Sequence, residues 1–165
     1  MLSNFQINSI ANDLKIKLPL NHILMKNELK EPQIGNYVIN LQSTFQGKGT
    51  HWTCLIIEKD DMFFFDLFGA PPSKEVIVFC KKRKDKHLYY NNSIIQDLQS
   101  ELCGFYCLGL LFYNKLYRTR FTSLNGCCNS FINLFENETK NNADILNDFF
   151  QKFYFRNKEK LINSY

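Results

Sequence analysis

Cys103-Gly-Phe-Tyr-Cys107-Leu-Gly-Leu-Leu-Phe-Tyr113, followed by Asn114-Lys-Leu-Tyr117, decides the fold. The run is almost wholly apolar at first and too long for a typical strand, so it predicts a central buried helix from Cys103 to about Tyr117. Cys103 then stands at the helix N-terminus. The apolar stretch, Leu102 to Tyr113, is also short of the roughly 20 residues that span a bilayer, so no membrane span is expected.

Upstream, Tyr37 to Leu41, Trp52 to Glu58 and Met62 to Phe65 are rich in β-branched and aromatic residues and read as adjacent strands, with Lys59-Asp60-Asp61 as a hairpin turn. Ile7, Ile10, Ala11 and Leu14 fall at helical spacing after the candidate caps Ser3 and Asn4. Ser73 is placed to cap a short helix through Phe79, and a fourth strand is expected near Tyr89 to Ile95. A last helix carries Ile145, Leu146, Phe149, Phe150 and Phe153 after the candidate cap Asn142. The expected architecture is α+β: a mixed central sheet, the buried helix, and flanking helices.

The chain has 165 residues, 45% of them hydrophobic and 22% charged, which suits one domain spanning 1–165 with its own core. No internal repeat or Gly/Ser-rich linker marks a boundary. The start Met1-Leu2-Ser3-Asn4-Phe5 lacks a basic region followed by an apolar segment, so no secretory signal is expected. Six cysteines are too few for a disulfide scaffold, and several sit in apolar stretches, which points to a reducing compartment. Cys127-Cys128 has no Cys-x-x-Cys partner set, and His22 and His87 are not at ligand spacing, so packing rather than metal binding is expected there. The net charge of +4 names no partner by itself. The run Lys81, Lys82, Arg83, Lys84, Asp85, Lys86, followed by His87, Tyr89 and Tyr90, reads as an exposed loop with the look of a phosphate-contacting patch. A monomer is compatible with this composition.

Chemistry is concentrated at three element ends: Gly49-Thr50-His51-Trp52, Asp66, and Cys103-Gly104. A rigid scaffold fixes residues at such ends while the adjoining loops leave room for a substrate. If the strands carrying His51 and Asp66 form a hairpin, the two side chains meet near its open end. A cysteine nucleophile works as the thiolate, which an imidazolium and a helix N-terminus both favour, and Cys103 is placed for both. His51 would relay protons and Asp66 would fix its tautomer. An oxyanion hole would come from the Cys103 amide and a glutamine side chain, for which Gln96 and Gln99 both stand near.

Gly-Thr-His51-Trp52, then Phe-Phe-Asp66-Leu-Phe-Gly69, then Gln96-Asp-Leu-Gln-Ser100-Glu-Leu-Cys103-Gly104-Phe-Tyr-Cys107 resemble the adenain family, the adenovirus maturation proteases and their relatives in virophages, polinton-like elements and large DNA viruses. The likeness spans roughly Tyr37 to Tyr113. It implies a cysteine-protease fold of the adenain/Ulp type and a cysteine endopeptidase that cleaves viral precursor proteins during virion maturation, at sites with small residues, often Gly. It further implies His51 as general base and acid, Asp66 as its orienting partner, Cys103 as nucleophile and Gln96 as oxyanion donor, with Trp52 packed beside the histidine. The acid is Asp66 where adenain has Glu, as is usual in the wider clan of Ulp-type SUMO proteases, and the stretch from acid to cysteine is shorter.

The same likeness implies no cofactor for the chemistry but activation by DNA or a viral peptide. DNA contact is expected through Lys81, Lys82, Arg83, Lys84 and Lys86. Cys80 does not clearly match the cysteine that cross-links the peptide in that family. The expected location is the virion and the cytoplasm or nucleus of an infected cell. A deubiquitinase or SUMO protease of the same clan is the second reading, and a non-catalytic DNA-binding or virion protein the third.

Overall fold

Ser3 closes the first helix with a capping box: its Oγ accepts the Gln6 amide at 3.3 Å and its own amide donates to Gln6 Oε1 at 2.8 Å. The computed structural model describes residues 1–45, 47, 51–84, 86–97 and 100–153; Gly49, Thr50, Asp85 and Gln99 lie outside them. Helix α1, Asn4–Asp13, buries Ile7, Ile10 and Ala11. Strands β1 (Ile23–Met25), β2 (Gly35–Asn40), β3 (Trp52–Ile57) and β4 (Asp61–Phe65) follow, then helix α2 (Lys74–Lys81) and strand β5 (His87–Tyr90). Helices α3 (Cys103–Tyr117), α4 (Leu124–Ile132) and α5 (Asn142–Phe153) come after β5.

The sheet order is β1-β2-β3-β4-β5. The inner pairs are antiparallel and the outer pairs, β1 with β2 and β4 with β5, are parallel, which makes it the mixed sheet expected. Glu58 N donates to Asp61 O at 2.8 Å across the β3–β4 turn. The strand expected near Tyr89 to Ile95 ends earlier, at Tyr90, because Asn91 turns its side chain onto the backbone of Asp66 instead of continuing the ladder. Strand β1 and helix α4 are additions to the sequence reading. Asn142 opens α5 but ties loops together, accepting from Glu136 N and donating to Ile95 O.

Period-2 alternation sorts the strand residues onto two buried faces. Val38, Cys54, Ile56, Phe63 and Phe65 meet α1, α3, α4 and α5, while Tyr37, Ile39, Leu55, Ile57, Met62 and Phe64 lie under Val76, Phe79 and Cys80 of α2. Covering both faces explains why β3 is buried at every position and reads as a continuous apolar run.

Helix α3 packs along β3. It is fastened to that strand at both ends, with Trp52 N donating to Cys103 Sγ at 3.5 Å and the Arg118 guanidinium gripping Glu58 through two bonds of 2.7 and 2.8 Å. Six strand residues advance about 20 Å and fifteen helical residues about 22 Å, so the two match in length and point the same way. Gly109 permits the close approach of α5, since a Cβ there would lie 2.7 Å from Leu146 Cδ1.

Phe131 of α4 sits in an aromatic cluster with Phe65, Tyr113, Phe135 and Phe149, at centroid distances of 6.1, 5.5, 5.0 and 6.1 Å. Truncating this fully buried ring, Phe131→Ala, is expected to cost about 3–5 kcal/mol in urea unfolding, whereas Phe45→Ala, on an exposed side chain, should stay within about 0.5 kcal/mol. Equal losses would contradict this packing.

Candidate active site

His51 immediately precedes β3, where its carbonyl accepts the Leu41 amide at 3.0 Å, and Asp66 immediately follows β4. The two strands are hydrogen-bonded neighbours, so the side chains meet at the open end of the hairpin: His51 Nε2 lies 3.0 Å from Asp66 Oδ2. Asp66 is only 1% exposed. Its other oxygen accepts the amides of Phe68 at 2.7 Å and Ala70 at 3.4 Å, which fixes the carboxylate in one orientation.

The turn that supplies those amides depends on Gly69. Its amide donates to Asp66 O at 3.0 Å, its φ is +67°, and a Cβ would stand 2.7 Å from the backbone of Asn92. Asn91 holds the same residue from the other side, accepting Asp66 N at 2.9 Å and donating to Asp66 O at 2.6 Å. Asn91 is buried, and nothing in the sequence signals this role; Asn91-Asn92-Ser93 has the composition of a loop. Phe68 covers the imidazole, its ring stacked at 4.8 Å from the His51 ring.

Cys103 is the first residue of α3, and its sulfur faces both the His51 ring and the Trp52 amide. With Nε2 committed to Asp66, Nδ1 is the ring nitrogen left for the sulfur. The first amides of a helix have no intrahelical acceptor, so the N–H groups of Cys103 and Gly104 are available to an anion. Burial works against charge on His51 and is the largest influence. It is outweighed by the hydrogen bonds to Asp66 and Cys103 and the coulombic pull of the same two groups, which lift the ring from 6.5 to about 9. The Trp52 indole is buried in the core, its N–H donating to Leu2 O at 2.8 Å.

Gln96 is buried on the loop leading into α3. Its Nε2 donates to Ser100 O, and Ser100 Oγ accepts the amide of Leu102, the residue before Cys103, at 3.3 Å. Gln96 is thereby tied to the start of α3 through Ser100. Its Oε1 has no partner among the described residues.

The other cysteines are core residues. Cys107 is buried one turn after Cys103, and Cys127 and Cys128 are buried in α4. Burial pushes the Cys80 thiol up to about 12, which makes it unsuited to cross-linking. Among the described residues, no group of three or more His, Cys, Asp or Glu is placed to hold a metal ion, and no helix is long and apolar enough to cross a membrane.

Much of the basic run is engaged within the chain. Lys82 pairs with Glu31 at 2.7 Å, Lys86 pairs with Asp60 at 3.2 Å, and Arg83 reaches the carbonyls of Glu58 and Lys59. Lys81 and Lys84 are exposed.

No family model and no curated protein sequence matches the chain. Among solved structures it is similar to the crystal structure of the selenomethionine form of ASFV pS273R protease, at 22% identity and a TM-score of 0.45, covering 74% of this chain and 44% of that one. The chain thus spans less than half the length of that protein.

Because the folded His51 value is raised, its contribution to stability is complete below about 6.5 and is lost as pH rises through about 9. The His51 ring should titrate near 9 by NMR, and Asp66→Asn, which removes the partner charge, should bring the midpoint down toward 6.5. A wild-type midpoint already near 6.5 would show that the three side chains are not assembled.

Proposed function

We propose that the chain is a thiol endopeptidase with Cys103 as nucleophile, His51 as general base and acid, Asp66 as the group that orients His51, and Gln96 as an oxyanion donor. The observation that carries this reading is the His51 ring, bonded through Nε2 to a buried Asp66 and faced by the sulfur at the start of α3. Separation of proton and sulfur across that pair leaves a thiolate beside an imidazolium.

The thiolate attacks the carbonyl carbon of the scissile peptide, and the resulting oxyanion is held by the Cys103 amide and the Gln96 side chain. His51 gives its proton to the leaving amine, and a thioester to Cys103 remains. His51, now neutral, takes a proton from water as the water attacks the thioester. The carboxylic acid product leaves, and the thiolate and imidazolium are restored. Phe68 shields the His51 face from solvent, which strengthens the interactions beneath it.

Its substrates, on this reading, are viral precursor polypeptides cut during virion maturation within the particle or the infected cell, at small residues. DNA would contact the run from Lys81 to Lys86, where Lys81 and Lys84 are exposed.

The test is cleavage of a fluorogenic peptide library with Gly and Ala around the scissile bond, with and without duplex DNA. Cys103→Ala should abolish cleavage, and Gln96→Ala should lower it about 100-fold, as loss of an oxyanion donor does. If a C-terminal diglycine fusion of ubiquitin or SUMO is cut and the library is not, the substrate class changes to that of the SUMO-specific enzymes. Cleavage that survives Cys103→Ala would sink the proposal.

A further inference from the structure

We infer that Cys107 is a positioning residue: it holds the carbonyl of Trp52, the residue whose N–H is directed at the Cys103 sulfur. The inference rests on the thiol-protease reading. Its basis is the pattern of sheet bonds at the start of β3. Leu41 N donates to His51 O, and the β2–β3 register pairs Asn40 with Trp52, so the Trp52 N–H and C=O point away from β2.

On that side β4 has already ended. The last β3–β4 pair is Cys54 with Phe65, and the chain turns off at Asp66 to meet His51. Two buried peptide groups at the head of a central strand are therefore left without a strand partner. Two sulfurs one helical turn apart take them: Trp52 N–H donates to Cys103 Sγ at 3.5 Å, and Cys107 S–H donates to Trp52 O at 3.5 Å.

The N–H belongs to the peptide that joins His51 to Trp52, so the unit that carries the base also touches the nucleophile. Cys107 holds the next peptide, which joins Trp52 to Thr53, through the Trp52 carbonyl. Cys107 is fully buried, and desolvation holds its proton on, which keeps it a donor. The titratable groups facing Cys103 are His51 from the entry to β3 and Cys107 on α3, with Asp66 behind the histidine. Cys54 on β3 faces Cys107, and Glu101, bonded to the amino group of Met1, is exposed two residues before Cys103. Without Cys107 the buried Trp52 carbonyl is left unpaired, Trp52 loses one of its two ties to α3, and its N–H is held less steadily toward the Cys103 sulfur.

The experiment follows acylation of Cys103 by p-nitrophenyl acetate, read as the burst of nitrophenolate across a pH series, in wild type, His51→Ala, Cys107→Ala, Cys107→Ser and Cys127→Ala. Cys107→Ala should slow the burst about tenfold at about pH 6 and move the acid limb of the profile upward. Cys107→Ser, which keeps a donor, should recover most of the rate. Cys127→Ala, a cavity elsewhere in the core, should lower stability and leave the limb in place. A wild-type limb in Cys107→Ala, or Cys107→Ser behaving like Cys107→Ala, overturns the clamp while leaving the protease intact. A wild-type chain without a His51-dependent burst overturns the protease reading and the clamp together.

Discussion

A helix that is apolar on every side must be surrounded before the chain gains from burying it, and α3 is surrounded by β3, α1, α4 and α5. That requirement places its N-terminus. Fastening at Trp52 and at Glu58 aligns helix and strand over equal lengths, so Cys103 arrives at the end of β3 where His51 enters the sheet. The site is thus a consequence of core packing. Its residues come from three separated parts of the chain and meet because the sheet and the helix each hold one side rigid.

The buried carboxylate is the electrostatic cost of the arrangement, and the local structure is built around offsetting it. Asp66 is met by amides of the Gly69 turn, by the His51 ring, and on its backbone by Asn91. An unpaired carboxylate in that position would be strongly unfavourable. With its partners it keeps a charge beside the imidazole, and that charge helps hold the ring protonated to about 9 against the pull of burial. A ring charged at neutral pH is what a leaving amine needs as a proton source.

Most elements were legible because their periods are long enough to read. The apolar run from Cys103, the two strands flanking Lys59-Asp60-Asp61, and the spacing of Ile7, Ile10 and Ala11 each span several repeats of one pattern. Strand β1 was not legible: Ile23-Leu24-Met25 is three residues, shorter than any periodic signal, and only pairing with β2 makes it a strand. Helix α4 left a signal that was missed. Ser123 caps it, and Leu124, Cys127, Cys128 and Phe131 follow at helical spacing, but Asn125, Gly126 and Asn129 are poor helix formers. His51, Asp66 and Cys103 were readable as residues at element ends, whereas Asn91 acts only through a backbone it meets after folding.

The assembled pair of His51 and Cys103 is most directly tested by the rate of Cys103 carboxamidomethylation with iodoacetamide as a function of pH, followed by peptide mass spectrometry in wild type and His51→Ala. The predicted result is modification of Cys103 that stays fast well below the free-thiol value of about 8.5 and loses that advantage in His51→Ala. Modification no faster than that of Cys103 in the urea-unfolded chain, and indifferent to His51, would contradict the account.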